Sequence, residues 1–121
     1  MDTIYWSLAG FLSGSIPFSL IIGRLGRDVD IRQYGDHNPG ATNVLRAAGW
    51  RWGIPAMLLD YFKGVVPVGL AWFFGDQVGW RIVPIALAPV LGHAFSPWLG
   101  LRGGKAVAAT FGVWTGLTLG A

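Results

Sequence analysis

IYWSLAGFLSGSIPFSLIIGRLG, residues 4–26, decides the fold. Arg24 alone interrupts its apolar character, near the end. As a helix its 23 residues reach about 34 Å, enough to cross the hydrocarbon core of a bilayer. Three more runs follow. Residues 53–75 carry Asp60 and Lys63 inside an otherwise apolar stretch, and residues 80–99 form a third span. A fourth run, 106–121, has 16 residues against the roughly 20 of a perpendicular crossing, which reads as a span continuing past Ala121. The expected fold is an all-α, polytopic membrane bundle forming one domain over 1–121, cut short at its C-terminus.

Composition agrees. The chain is 53% hydrophobic and 12% charged, with no glutamate, where soluble domains carry about 25% charged residues. Polar faces for a soluble helical protein cannot be built from these residues, so membrane lipids are the expected solvent. Nineteen glycines and seven prolines suit membrane helices better than soluble ones. The net charge of +3 does not imply nucleic acid, because the basic residues sit at the ends of apolar runs. Without cysteine there is no thiolate chemistry, and the lone histidines offer no HExxH pattern, so neither a metal nor a cofactor is expected.

Arg24, Arg27, Arg32, Arg46, Arg51, Arg102 and Lys105 fall at one side of the spans, and Arg81, Asp2 and Asp76 at the other. The positive-inside rule puts the 27–52 loop and the 100–105 turn in the cytoplasm and the N-terminus outside. In the 27–52 segment, Gly35, Pro39 and Gly40 are expected to break any long helix. Gly112, Gly116 and Gly120 form a stripe suited to close helix packing; Gly10 and Gly14 form a single pair at the same spacing.

Both cytoplasmic segments carry groups suited to phosphate. In Gly35-Asp36-His37-Asn38-Pro39-Gly40-Ala41-Thr42-Asn43, glycines permit anion-binding backbone concavities, and Arg46 adds a forked cation. The same loop also reads as an ordinary polar connection, and Asp36 would repel a phosphate. Gly103-Gly104-Lys105 lacks the spacing and hydroxyl of a P-loop. It reads either as an oxyanion cradle at a helix start or as a basic anchor snorkelling to the headgroups. Asp60 and Lys63, three apart, form either a polar wall of the site or a structural ion pair. His93 either bonds a neighbouring helix or orients Lys105 or a phosphate. Ser15, before Pro17, either satisfies backbone freed by the proline or joins Lys105 as a catalytic candidate; as a nucleophile it would need a base that the sequence does not place beside it.

Taken together, Gly14-Ser15-Ile16-Pro17, Asp30-Ile31-Arg32, Gly35, Asn38, Gly40-Ala41-Thr42-Asn43, Arg46 and Gly49 resemble the first motif of the PlsY family. Asp60-Tyr61-Phe62-Lys63-Gly64 resembles a following segment, and Gly92-His93, Pro97 and Arg102 to Ala108 its second motif. The resemblance implies seven membrane helices, about four of them here, in a bacterial cytoplasmic membrane. It implies acyl transfer from acyl phosphate to the sn-1 hydroxyl of glycerol 3-phosphate, giving lysophosphatidic acid for phospholipid synthesis. On that reading Lys105 and Ser15 are the catalytic candidates. Gly35, Asn38, Gly40, Thr42, Asn43, Arg46, His93, Gly103 and Gly104 bind substrate, and Asp60 and Lys63 support them. The N–H groups of Gly103 and Gly104 would join Lys105 in stabilising the departing phosphate. This chain departs from the family's common Gly-Ser-Gly-Asn at Asp36 and His37, and from Gly-Gly-Lys-Gly at Ala106. The first departure favours a rival reading, a paralogue acting on another phosphorylated acceptor. A second rival is a non-catalytic membrane subunit paired with a missing half.

Overall fold

The computed structural model describes residues 2–119, which form six α-helices with no strand among them. Three segments are long and apolar enough to cross a membrane: Asp2–Arg27, Trp50–Phe73 and Gly79–Leu99. Val107–Leu119 is a shorter apolar helix.

The first span is two helices rather than one. Helix α1 runs over Asp2–Ser15 and α2 over Phe18–Arg27. Pro17 has no N–H to continue the ladder, and Ile16 turns its own N–H to the Ser13 carbonyl at 3.3 Å. The Leu12 carbonyl is then left over, and Ser15 Oγ donates to it at 2.7 Å, as expected of a hydroxyl beside a membrane proline.

The 27–52 segment is more ordered than its breakers suggested. A single 3-10 turn at Ile31–Gln33 is capped by Asp30, and α3 spans Ala41–Ala48. Gly49, at φ 85°, ends α3 and opens α4, Trp50–Phe73, which continues through Pro55 and Pro67. Helix α5, Ile82–Ala94, is flanked by 3-10 turns at Gly79–Arg81 and Pro97–Leu99, and α6 covers Val107–Leu119.

Small residues set two close pairings. Helix α1 lies against α5 where Gly14 meets the backbone of Pro89 and Gly92 meets the backbone of Phe11; a methyl group at either would collide with main chain. Helix α4 lies against α6 in the same way, Gly64 against Ala109 and Gly112 against the Tyr61 carbonyl. Gly116 continues the expected stripe against Val65 and Val68, while Gly120 lies outside the described residues. Without a hydrophobic force between helices in lipid, such backbone contact is what holds them. Leu8, Leu12, Phe62, Leu70, Phe111 and Trp114 face outward, the arrangement lipid favours. At one end, Thr3 donates to Gln77 and ties the 74–78 turn to the start of α1. The 28–40 loop and the 95–106 connection meet at the other end.

Candidate functional site

The two glycine-bearing segments share one cleft. Lys105 N donates to Asn38 Oδ1 at 3.0 Å, and Lys105 Nζ lies 2.6 Å from Asp36 Oδ2. A cavity of about 630 Å³ opens beneath this contact, between α4 and α6. Asp36, Asn38, Thr42, Arg46, Lys105, Asp60 and His93 supply its polar lining. Met57, Leu58, Tyr61, Val107 and Phe111 supply an apolar wall, and Met57, Leu58 and Phe111 are also exposed on the outer surface. Gly40, Ala41 and Thr42 bring the N-terminus of α3 to the edge of the cleft, where unpaired N–H groups favour an anion.

Asn43 does not face the cleft. It is 1% exposed and works as the loop's internal brace. Its Nδ2 donates to the carbonyls of Tyr34 (2.8 Å) and Asn38 (2.7 Å), and its Oδ1 accepts from Arg46 Nη1 at 2.8 Å. Gly35, at φ 54°, passes so near the Arg46 guanidinium that a side chain there would displace it. Gly35 and Asn43 thus aim Arg46 rather than line the cavity.

The expectation that Gly103 and Gly104 offer free N–H groups is corrected. Gly103 N donates to the Ala94 carbonyl (2.9 Å) and Gly104 N to the His93 carbonyl (3.2 Å), so both donors complete the end of α5. Their lack of side chains matters instead, since a Cβ on Gly103 would strike the His93 carbonyl and one on Gly104 the His93 ring. Close approach along α5 delivers Lys105 to the cleft.

Asp60 and Lys63 are a buried pair, of which Asp60 lines the cleft and Lys63 the small cavity behind it. Lys63 Nζ sits 3.0 Å from Asp60 Oδ1, 3.0 Å from the Ile16 carbonyl and 2.6 Å from His93 Nδ1. Ser19 Oγ, which sequence reasoning did not single out, donates to Asp60 Oδ2 at 2.7 Å. The helix break at Ile16–Pro17 therefore supplies a carbonyl to a lysine 47 positions away. Ser15 is buried beside a small separate cavity with Lys63 and His93, its hydroxyl spent on Leu12 and its carbonyl accepting from Ser96 Oγ.

Two loop carboxylates are held ionised. Arg32 grips Asp30 through its side chain and backbone N–H and lowers its pKa to about 2, with Arg24 adding to the effect. Lys105 does the same for Asp36, also to about 2, helped by the Asn38 N–H and Arg46. Both values lie below the unfolded one, so the order these links give the loop is complete above about pH 4 and is lost as pH falls toward about 2. Carboxyl carbon NMR signals of Asp30 and Asp36 should stay in the ionised position down to about pH 3. Protonation at pH 4 would show that the links are absent.

The two departures from the family pattern fall on strained backbone. His37 has φ 63° and Ala106 φ 61°, the left-handed region that glycine enters freely and other residues enter at a cost of about 1–2 kcal/mol. His37→Gly and Ala106→Gly should each therefore raise stability by up to about 1 kcal/mol, after glycine's greater unfolded-state entropy is offset. Unfolding in detergent measures it, and a loss of stability would show that these angles are not strained.

A family model described as glycerol-3-phosphate acyltransferase matches residues 4–121. The chain is 47% identical over 110 residues to glycerol-3-phosphate acyltransferase 1 of Thermotoga maritima, covering 89% of this chain and 54% of that protein. It is 45% identical over 122 residues to glycerol-3-phosphate acyltransferase of Leptospira borgpetersenii serovar Hardjo-bovis, covering 98% and 55%. The crystal structure of PlsY, an integral membrane glycerol 3-phosphate acyltransferase, superposes in its glycerol 3-phosphate form with a TM-score of 0.85 at 38% identity, over 93% of this chain and 56% of that one. The lysophosphatidic acid form gives 0.86 at 36% identity, over 98% and 58%. The chain thus spans about half the length of the relatives it matches. It is a multi-pass membrane protein and belongs to the glycerol-3-phosphate acyltransferase family.

Proposed function

We propose that this chain forms the acyl-phosphate side of a glycerol-3-phosphate acyltransferase that makes lysophosphatidic acid. One observation carries the reading: Lys105 and Arg46 converge, on either side of Asp36, on a cleft whose other wall is apolar and reaches the outer surface. A phosphate and an alkyl chain on one molecule need that pairing. The phosphate of the acyl donor would sit at Lys105, Arg46 and the start of α3, and the chain would lie along Met57, Leu58 and Phe111 toward lipid. The sn-1 oxygen of glycerol 3-phosphate forms a bond to the acyl carbonyl carbon, and the bond from that carbon to the phosphate oxygen breaks. Inorganic phosphate leaves, and its oxygens can take the hydroxyl proton. The leaving group is good enough that no acyl-enzyme is required, consistent with a Ser15 hydroxyl already in use.

The positive-inside distribution supports placing this end of the bundle in the cytoplasm of a bacterial inner membrane, with the N-terminus outside. Palmitoyl phosphate with glycerol 3-phosphate should give 1-acylglycerol 3-phosphate, whereas acyl coenzyme A and acyl carrier protein should not serve as direct donors. Equal transfer from coenzyme A would defeat the reading. A specific observation keeps a second acceptor in play, since Asp36 occupies Lys105 where family members commonly have serine. Turnover of another phosphorylated alcohol above glycerol 3-phosphate in the same assay would select that paralogue reading.

A further inference from the structure

We propose that His93 donates a hydrogen bond from Nε2 to the acyl carbonyl oxygen, and that Lys63 and Asp60 are positioning residues that keep its ring neutral with the proton on that nitrogen. The inference rests on the acyltransferase reading and adds a role for the buried pair within it. An ammonium has three donors and no acceptor. Around Lys63 Nζ stand the Asp60 carboxylate as ionic partner, with Oδ1 at 3.0 Å, and two groups at hydrogen-bond distance, the Ile16 carbonyl and His93 Nδ1. Nδ1 therefore presents its lone pair, and the single proton of a neutral imidazole is left on Nε2. Asp60, itself fixed by Ser19, is the ionic partner that a lysine at this depth requires. At the helix break beside Pro17 the Ile16 carbonyl accepts from Phe18 N at 2.9 Å, and its second lone pair takes Lys63 Nζ.

The other side of the ring is open to chemistry. His93 lines the cleft, and among the described residues Nε2 makes no hydrogen bond. Nε2 abuts Gly104, where a Cβ would lie 2.5 Å away, so glycine keeps that nitrogen uncovered. The ring lines the same cleft as the cations that would take the phosphate and the apolar side chains that would take the chain. The carbonyl of an acyl phosphate joins those two parts. Negative charge grows on its oxygen as the sn-1 oxygen adds, and a fixed neutral donor stabilises that charge without reorganising.

Nitrogen-15 NMR of histidine-labelled protein in detergent, with His37→Gln to assign the second histidine of this chain, reads the ring directly. The expected pattern is an Nε2–H neutral tautomer across the neutral pH range. The double variant D60L/K63M removes both charges together and should keep the helical fold. It should show mixed tautomers and lose about 100-fold in kcat, with KM changed less than about twofold. An Nδ1–H or imidazolium signal in the unsubstituted protein overturns the lock. An unchanged kcat in the double variant overturns the catalytic role. Absence of any acyl transfer by the unsubstituted protein combined with the half of a family member that this chain does not span overturns the acyltransferase reading and the carbonyl assignment with it, while the tautomer result still stands.

Discussion

Lys105→Ala is expected to abolish acyl transfer while the protein still inserts and folds. Lys105 has nothing to do with the core: its side chain is 65% exposed and, among the described residues, its ammonium pairs with Asp36 alone. Its backbone N–H, which ties the turn to Asn38, survives the substitution. On the proposed reading, what is lost is a point charge beside the departing phosphate in a cleft with one apolar wall. Removing one such group from a preorganised site costs about 10²–10³ in rate. Phosphate release from palmitoyl phosphate in the presence of glycerol 3-phosphate measures it, with unfolding in detergent as the control. Activity within twofold of the unsubstituted protein would take Lys105 out of the mechanism.

Asp60→Ala is expected to cost more stability than any other single change discussed. Asp60 and Lys63 are 3% and 2% exposed, within a segment long and apolar enough to cross the membrane. Alone, the alanine leaves an ammonium with one carbonyl and one imidazole for company. Stranding a buried charge costs about 3–5 kcal/mol, while replacing both partners with apolar groups of similar volume is often neutral. D60L/K63M should therefore recover most of the loss, and a double-mutant cycle reads the coupling. A loss below about 1 kcal/mol for Asp60→Ala would mean that water reaches Lys63 and that the pair is not sealed.

The sequence made the membrane bundle legible because hydropathy over some twenty residues is a local property. The Asp60–Lys63 pair was legible for the same reason, since three residues on a helix make a face. The partners that complete it were not. Ile16 and Ser19 come from the first span and His93 from the third, and spacing says nothing about which helices touch. The span read across residues 4–26 stands, built as two helices: Pro17 has no N–H to carry the ladder through, and the carbonyls beside it take donors from Ser15 nearby and from Lys63 on another helix. Helix α3 was hidden between glycine and proline because its eight residues are stabilised by packing of Ala41, Val44 and Ala48 rather than by length. The site residues were named largely from the resemblance. Their division of labour came from geometry, as when Asn43 turned inward and the Gly103 and Gly104 donors went to α5. The family glycines at two positions became intelligible only once His37 and Ala106 were seen at positive φ.

A proline in a membrane helix is ordinarily a place where the helix can swing. Here Lys63 holds the Ile16 carbonyl, Ser96 holds the Ser15 carbonyl and Gly14 rests on the backbone of Pro89. Pivoting at Pro17 would strip those contacts in a medium with no water to replace them. The contacts across the mouth of the cleft, Asp36 with Lys105 and Asn38 with Lys105, are exposed and can be exchanged for water at little cost. Any opening of the cleft at this end should accordingly come from the two connections, with the kinked span serving as their fixed abutment.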